Sequence, residues 1–239
     1  MSPQSIHAFS EKVALVTGGT SRIGRAAALQ LALQGAFVTV GYFGGSSGEE
    51  SAIDELRSLG TLAAGVKTDV STVEGAKSLV EAVNKMYGRL DLLVNCARFG
   101  QEATFMGTTG ETFAKTIDSN VKSAFFVTQA AVHLMKDRPK PKIVNVASAC
   151  DTPETGQDAA FSIANAGVAE LTRSLALSLP KNFRVNCVRV SEKRSVPEGG
   201  ENDLFLVDKG VSADDAARAV LYLLSGEASG LNGQILTLE

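Results

Sequence analysis

The stretch Val13-Ala14-Leu15-Val16-Thr17-Gly18-Gly19-Thr20-Ser21-Arg22-Ile23-Gly24-Arg25 decides the reading of this chain. A short β-branched run passes without a spacer into a glycine-containing turn, and the turn opens directly into an amphipathic pattern. Glycines at a strand-to-helix turn let backbone approach a phosphate, and the helix start offers N–H groups that have no partner within the helix. A glycine turn that merely packs helix on strand is the plainer alternative.

Working outward, the same alternation repeats to the end of the chain. Strand-like runs at 13–17, 37–40, 62–66, 90–95, 142–146, 184–188 and 234–238 are almost continuously apolar, as strands buried on both faces are. Helical periodicity covers 22–34, 48–59, 72–87, 110–136, 157–179 and 213–225 between them. Alternating strands and helices predict an α/β fold with right-handed crossovers: a doubly wound parallel sheet of seven strands with helices on both faces. No internal repeat interrupts residues 1–239, which are expected to form one domain. The least regular segment, 191–210, contains Pro197-Glu198-Gly199-Gly200-Glu201 and reads either as a substrate lid or as a plain surface loop.

Composition narrows the function. The chain has 239 residues, 44% of them hydrophobic and 21% charged, with a net charge of -3. That balance is ordinary for a soluble globule and offers no broad basic field for nucleic acid. No apolar run is long enough to span a membrane, and Met1 to Lys12 has no apolar core of a signal peptide. Cys96, Cys150 and Cys187 are far apart, and with His7 and His133 they form no metal-ligand spacing. They read as reduced thiols of a cytoplasmic protein, with no metal site expected.

The first turn resembles the T-G-x-x-x-G-x-G motif of the short-chain dehydrogenase/reductase family, whose fold is of the Rossmann type. Thr17, Gly18 and Gly24 match; Arg22 takes the middle glycine's place, as in pteridine-reductase-like members. Similarity runs from Lys12 to Leu238. Asp69-Val70 matches the family's adenine-contacting pair. In Asn95-Cys96-Ala97-Arg98, Asn95 and Ala97 match the family's Asn-Asn-Ala-Gly, while Cys96 and Arg98 depart from it. The resemblance implies a nicotinamide dinucleotide held by Thr17, Gly18, Ser21, Arg22, Ile23, Gly24, Asp69, Val70, Asn95 and Ala97, beside a small-molecule substrate or ligand. NAD-preferring sheets end the second strand with an acid for the ribose 2′-OH, but here that end is Val40-Gly41-Tyr42-Phe43-Gly44. Arg22 could face a 2′-phosphate, so NADP(H) is favoured over NAD(H); a solvated helix-start arginine is the alternative.

The resemblance also implies an asparagine, serine, tyrosine and lysine around the reacting carbonyl. Asn120 and Ser148 match the first two. Where the family has Y-x-x-x-K, this chain has Phe161-Ser162-Ile163-Ala164-Asn165. The following Ala166–Ala176 matches closely and fixes the alignment. The family tyrosine donates a proton as hydride arrives, and a phenol titrating near pH ~10 needs a neighbouring cation to act at neutrality. Phe161 has no proton to give. Asn165 carries no charge but could still bond a ribose hydroxyl. Ser162 points about 100° away around the helix. Asp151, Glu154 and Asp158 are the remaining acids from which a substitute could come, and Cys150 has no basic partner in view. The family's Pro-Gly after the sixth strand is also missing, replaced by Arg189-Val190-Ser191.

Three functions stay open at this point. One is a cofactor-binding protein with little or no reductase activity. The second is an active NADPH-dependent oxidoreductase with a rerouted proton donor. The third is a cofactor-free scaffold. The two long helical segments, 110–136 and 157–179, resemble those that pair subunits in the family, which implies a homodimer or homotetramer.

Overall fold

A computed structural model of the chain describes residues 8–44, 49–100, 103–149, 159–191 and 211–239. Seven strands, β1 (Val13–Thr17), β2 (Phe37–Tyr42), β3 (Ala63–Lys67), β4 (Leu92–Asn95), β5 (Lys142–Ala149), β6 (Arg184–Ser191) and β7 (Ile235–Leu238), form one sheet. Their order is β3-β2-β1-β4-β5-β6-β7 and every pairing is parallel. The order reverses between β1 and β4, so a crevice opens there at the carboxyl ends of the strands.

Seven helices cover the faces: α1 (Arg22–Leu33), α2 (Glu49–Ser58), α3 (Val73–Tyr87), α4 (Gly110–Ile117), α5 (Ser123–Met135), α6 (Ala159–Ser178) and α7 (Ala213–Leu224). Two apolar layers lie on the two faces of the sheet. In one, α1 and α7 pack on Val16, Val38, Val94 and Val188; in the other, α3 and α5 pack on Leu15, Leu93, Ile143 and Val185. Alternate residues of a strand enter opposite layers, which is why these strands are apolar throughout.

The predicted helix over 110–136 is broken. Asp118–Lys122 is a π segment joining α4 to α5, and it carries Asn120. A π turn holds one extra residue, so the apolar periodicity on its two sides is offset and reads as a single helix only if that offset is ignored. β5 and β6 reach Ala149 and Ser191, beyond their predicted ends, because the eight-residue ladder between them keeps both chains hydrogen-bonded past the apolar core. Two short 3-10 turns, at Phe105–Gly107 and Gly226–Ala228, were outside the expected pattern.

The amino end of the sheet is tied by charge. Asp91, 3% exposed, accepts from the Val13 N–H at 3.0 Å and from Arg138 Nε at 2.8 Å. Lys12 and Arg89 approach the same carboxylate at 3.8 and 3.9 Å. One acid thereby joins the starts of β1 and β4 to the chain leaving α5.

Lys142 begins β5 yet is only 4% exposed, and its ammonium donates to the Ser225 carbonyl that closes α7. Burial, followed by the nearby charges of Lys140, Arg184 and Lys12, lowers its pKa to about 8. The unfolded lysine holds its proton to higher pH than the folded one. Stability should therefore rise between about pH 8 and the ordinary lysine value, where the unfolded chain binds more protons. Urea unfolding at pH 7 and at pH 10 should show wild type gaining on the order of 1–2 kcal/mol relative to Lys142→Met. Equal pH slopes for the two proteins would remove the assignment.

Candidate functional site

The β1 turn is built by close backbone approach. Gly18 has φ +60, and a Cβ there would lie 2.6 Å from the Cys96 carbonyl oxygen; at Gly24 it would lie 2.2 Å from the Gly18 oxygen. These glycines therefore admit protein backbone, which is a firmer constraint than room for a ligand. Thr17 Oγ1 accepts from the N–H groups of Cys96 and Ala97, both at 3.1 Å, and so locks the end of β1 to the loop after β4. Ser21 caps α1 by accepting from the Gly24 N–H at 3.2 Å. The Ile23 side chain belongs to the core under α1, so only its backbone can face a ligand. Arg22 is exposed at the first position of α1.

Above this turn lies a cleft of about 520 Å³. Gly18, Thr20 and Ser21 form its floor; Tyr42, Phe43 and Asp69 to Ser71 form one wall; Ala97, Arg98, Phe99, Lys115 and Ser119 form the other. Asp69 Oδ1 accepts from the Ser71 N–H and hydroxyl at 3.0 and 2.6 Å, which fixes the loop after β3. Val70 is buried beside it. The Lys115 ammonium lies 4.2 Å from the centre of the Phe99 ring. The end of β2 offers only Tyr42 and Phe43, with no acid in the lining there.

Asn95 lies below the cleft. Its amide donates to Thr128 Oγ1 at 3.0 Å and Asn145 Oδ1 at 2.9 Å, and Asn145 in turn donates to Thr172 Oγ1 at 2.9 Å. This buried chain joins β4 and β5 to α5 and α6. Cys187 is buried on β6, and its thiol is pushed up to about 12, chiefly by burial, which leaves it inert as a nucleophile. Cys96 is buried beside the turn, its Sγ 3.8 Å from Ser21 Oγ.

The four positions aligned with the family's catalytic residues converge on Arg98 to Gly100. Asn120 donates from its amide to the Phe99 carbonyl and to the Thr116 carbonyl, both at 2.7 Å. Ser148 Oγ accepts from Arg98 Nη1 at 2.7 Å. Phe161, 1% exposed, packs so closely on Gly100 that a Cβ there would lie 3.0 Å from its ring. Asn165, 4% exposed, accepts from the Ser148 N–H at 2.6 Å and donates to the Phe161 carbonyl at 2.8 Å.

The Asn165 amide, a candidate for a ribose hydroxyl, is engaged with the protein here. It clamps the end of β5 to the first turn of α6, because a short side chain one turn above Phe161 meets those groups before it meets the cleft. Sequence reasoning missed the Arg98–Ser148 bond. The signal was the arginine standing at a glycine position three residues past the end of β4. Cys150, Asp151, Glu154, Asp158 and residues 192–210 of the candidate lid or surface loop lie outside the described residues.

Among the described residues, no cluster of three His, Cys, Asp or Glu side chains could hold a metal, and no helix is long and apolar enough to cross a membrane. The donor set fits a dinucleotide unevenly. The β1 turn, the N–H groups that open α1 and the Asp69 wall suit an adenosine diphosphate. At the other end Arg98 stands in place of open backbone.

A family model described as enoyl-(acyl carrier protein) reductase matches residues 18–239. The chain is 30% identical over 209 residues to the short-chain dehydrogenase/reductase FrzI of Cladobotryum sp, covering 87% of this chain and 78% of that protein. It is 32% identical to L-rhamnose 1-dehydrogenase (NAD(P)(+)) of Azotobacter vinelandii over 74% of this chain and 72% of that one. A short-chain dehydrogenase from Burkholderia cenocepacia J2315, solved in complex with NADP, superposes with a TM-score of 0.85 at 25% identity, covering 97% of this chain and 98% of the other. With the parallel seven-stranded sheet and the turn at Gly18, these likenesses place the chain in the short-chain dehydrogenase/reductase family of oxidoreductases, which work with nicotinamide cofactors.

Proposed function

We propose that this protein binds NADP(H) and has little or no carbonyl reductase turnover. The observation that carries the reading is the pair Phe161 and Asn165, buried and bonded within the protein at the positions where the family keeps its proton donor and the cation that tunes it. When bound, the nicotinamide supplies hydride; the protein must supply a proton to the carbonyl oxygen. Phe161 has none. Ser148 keeps a hydroxyl proton, but an alcohol is a poor acid, and its oxygen already accepts from the Arg98 guanidinium.

The preference for the 2′-phosphate rests on Arg22 at the start of α1 and on Tyr42 and Phe43 in place of an acid. The Burkholderia relative holds NADP and the Azotobacter relative is named for both cofactors, which is compatible with this. Calorimetric titration should give NADPH a lower Kd than NADH by about tenfold, and Arg22→Ala should remove most of that difference. Equal affinities in wild type would defeat the argument.

Self-association belongs to the same proposal. Phe113, Phe125, Ile163 and Leu177 on α4, α5 and α6 are exposed, an arrangement that favours a homodimer or homotetramer over a monomer. Sedimentation equilibrium should find a dimer or larger species; a monomer throughout the micromolar range would speak against it.

A further inference from the structure

The cleft ends at Arg98. Its lining runs from Tyr42 and Asp69 across the β1 turn to Ala97, Arg98 and Phe99, and among the described residues it includes none of Asn120, Ser148, Phe161 and Asn165. Between those two groups stands the Arg98 side chain, with Nη1 bonded to Ser148 Oγ at 2.7 Å. The bond ties the guanidinium to Ser148, which is itself held through its N–H by Asn165. The loop beneath is equally fixed: Asn120 holds the Phe99 carbonyl, and Phe161 fills the space over Gly100.

We propose that Arg98 sets the ligand class of this cleft: it admits an adenosine diphosphate unit, terminal or carrying one ribose, and excludes the nicotinamide half of a dinucleotide while the bond to Ser148 stands. The proposal rests on the nucleotide-binding reading above and narrows it. The β1 turn and α1 offer N–H groups for a pyrophosphate. Arg98 adds a fork of donors suited to phosphate or ribose oxygens where a nicotinamide would otherwise lie. Lys115, on the same wall, adds a second cation. A nicotinamide ring, neutral when reduced and cationic when oxidised, has no negative charge to offer a guanidinium and must displace it from Ser148 to enter. Contacts made by that half of the dinucleotide are then offset by the lost bond and add little affinity.

The test compares ligands with and without the nicotinamide. Calorimetry would give Kd values of wild type for NADPH and 2′-phospho-ADP-ribose, and for NADH and ADP-ribose as a pair free of the 2′-phosphate. In wild type the two members of each pair should agree within about threefold. In Arg98→Ala and Arg98→Gly, NADPH should gain about tenfold or more on 2′-phospho-ADP-ribose. Thermal unfolding would verify that the variants are folded, and either one suffices. A wild-type advantage of more than threefold for the full dinucleotide, or a variant gain below tenfold, overturns the proposal while leaving the nucleotide-binding reading intact. No binding of either pair overturns both.

Discussion

Purified wild type should reduce the ketones that serve as general substrates of the family about 10³-fold or more slowly than an enzyme with an intact proton donor. A missing general acid alone accounts for about 10²–10⁴ in rate, and here the cation that would tune it is absent as well. Single restorations should not help. Phe161→Tyr introduces a phenol with no cation beside it. Asn165→Lys removes the partner of the Ser148 N–H and of the Phe161 carbonyl and places an ammonium at a site only 4% exposed, so that variant should also lose stability. The two positions act as a unit, and their effects should be strongly non-additive. The structure adds a third member. With Arg98 bonded to Ser148, even the double variant has no open approach to the serine, so Phe161→Tyr with Asn165→Lys and Arg98→Gly is the combination from which activity should emerge. Single-turnover measurement of NADPH oxidation checks this directly. Robust reduction by unmodified protein, abolished by Ser148→Ala, would overturn the silent-site reading and direct attention to Asp151, Glu154 and Asp158.

The second large effect lies at the amino ends of the central strands. Asp91→Ala should lower the unfolding free energy by about 2–4 kcal/mol. The change leaves the Val13 N–H without its side-chain acceptor and sets Lys12, Arg89 and Arg138 near one another with no anion between them. Asp91→Asn keeps an acceptor but loses the charge and should fall between. Urea denaturation monitored by circular dichroism gives both values. A loss under about 1 kcal/mol for the alanine variant would mean that solvent already screens the carboxylate from its partners.

The strands and helices were legible because the inner strands are buried on both faces and the helices on one, so sequence periodicity reported burial directly. β1 and the turn after it were read to the residue, since Gly18 and Gly24 occupy positions where backbone leaves no room for a side chain. The candidate site was legible in its residue identities and opaque in its connections. Asn120 and Ser148 both bond the loop after β4. That Arg98 reaches Ser148, fifty residues away, depends on how far a long side chain extends across two adjacent parallel strands, and no local pattern encodes that. The bonds of Asn165 were hidden for a similar reason: an amide can bond a ribose or a backbone, and its contact with the Ser148 N–H depends on where β5 ends. Asp91 and Lys142 gave no signal either, because their burial arises from the meeting of strand ends that are distant in sequence.

The π segment Asp118–Lys122 has a consequence for insertions and deletions. Removing one residue from an α-helix turns everything after it by about 100° and takes its buried face out of the core. Within Asp118–Lys122 the same deletion would shorten a wide turn to an ordinary one and leave Val127, Ala131 and Met135 still facing the sheet. The rod from Gly110 to Met135 therefore contains one place where chain length can change without disturbing the phase of its second half. That place is also the turn from which Asn120 grips the Phe99 carbonyl, so a deletion that spared the core would still reach the site.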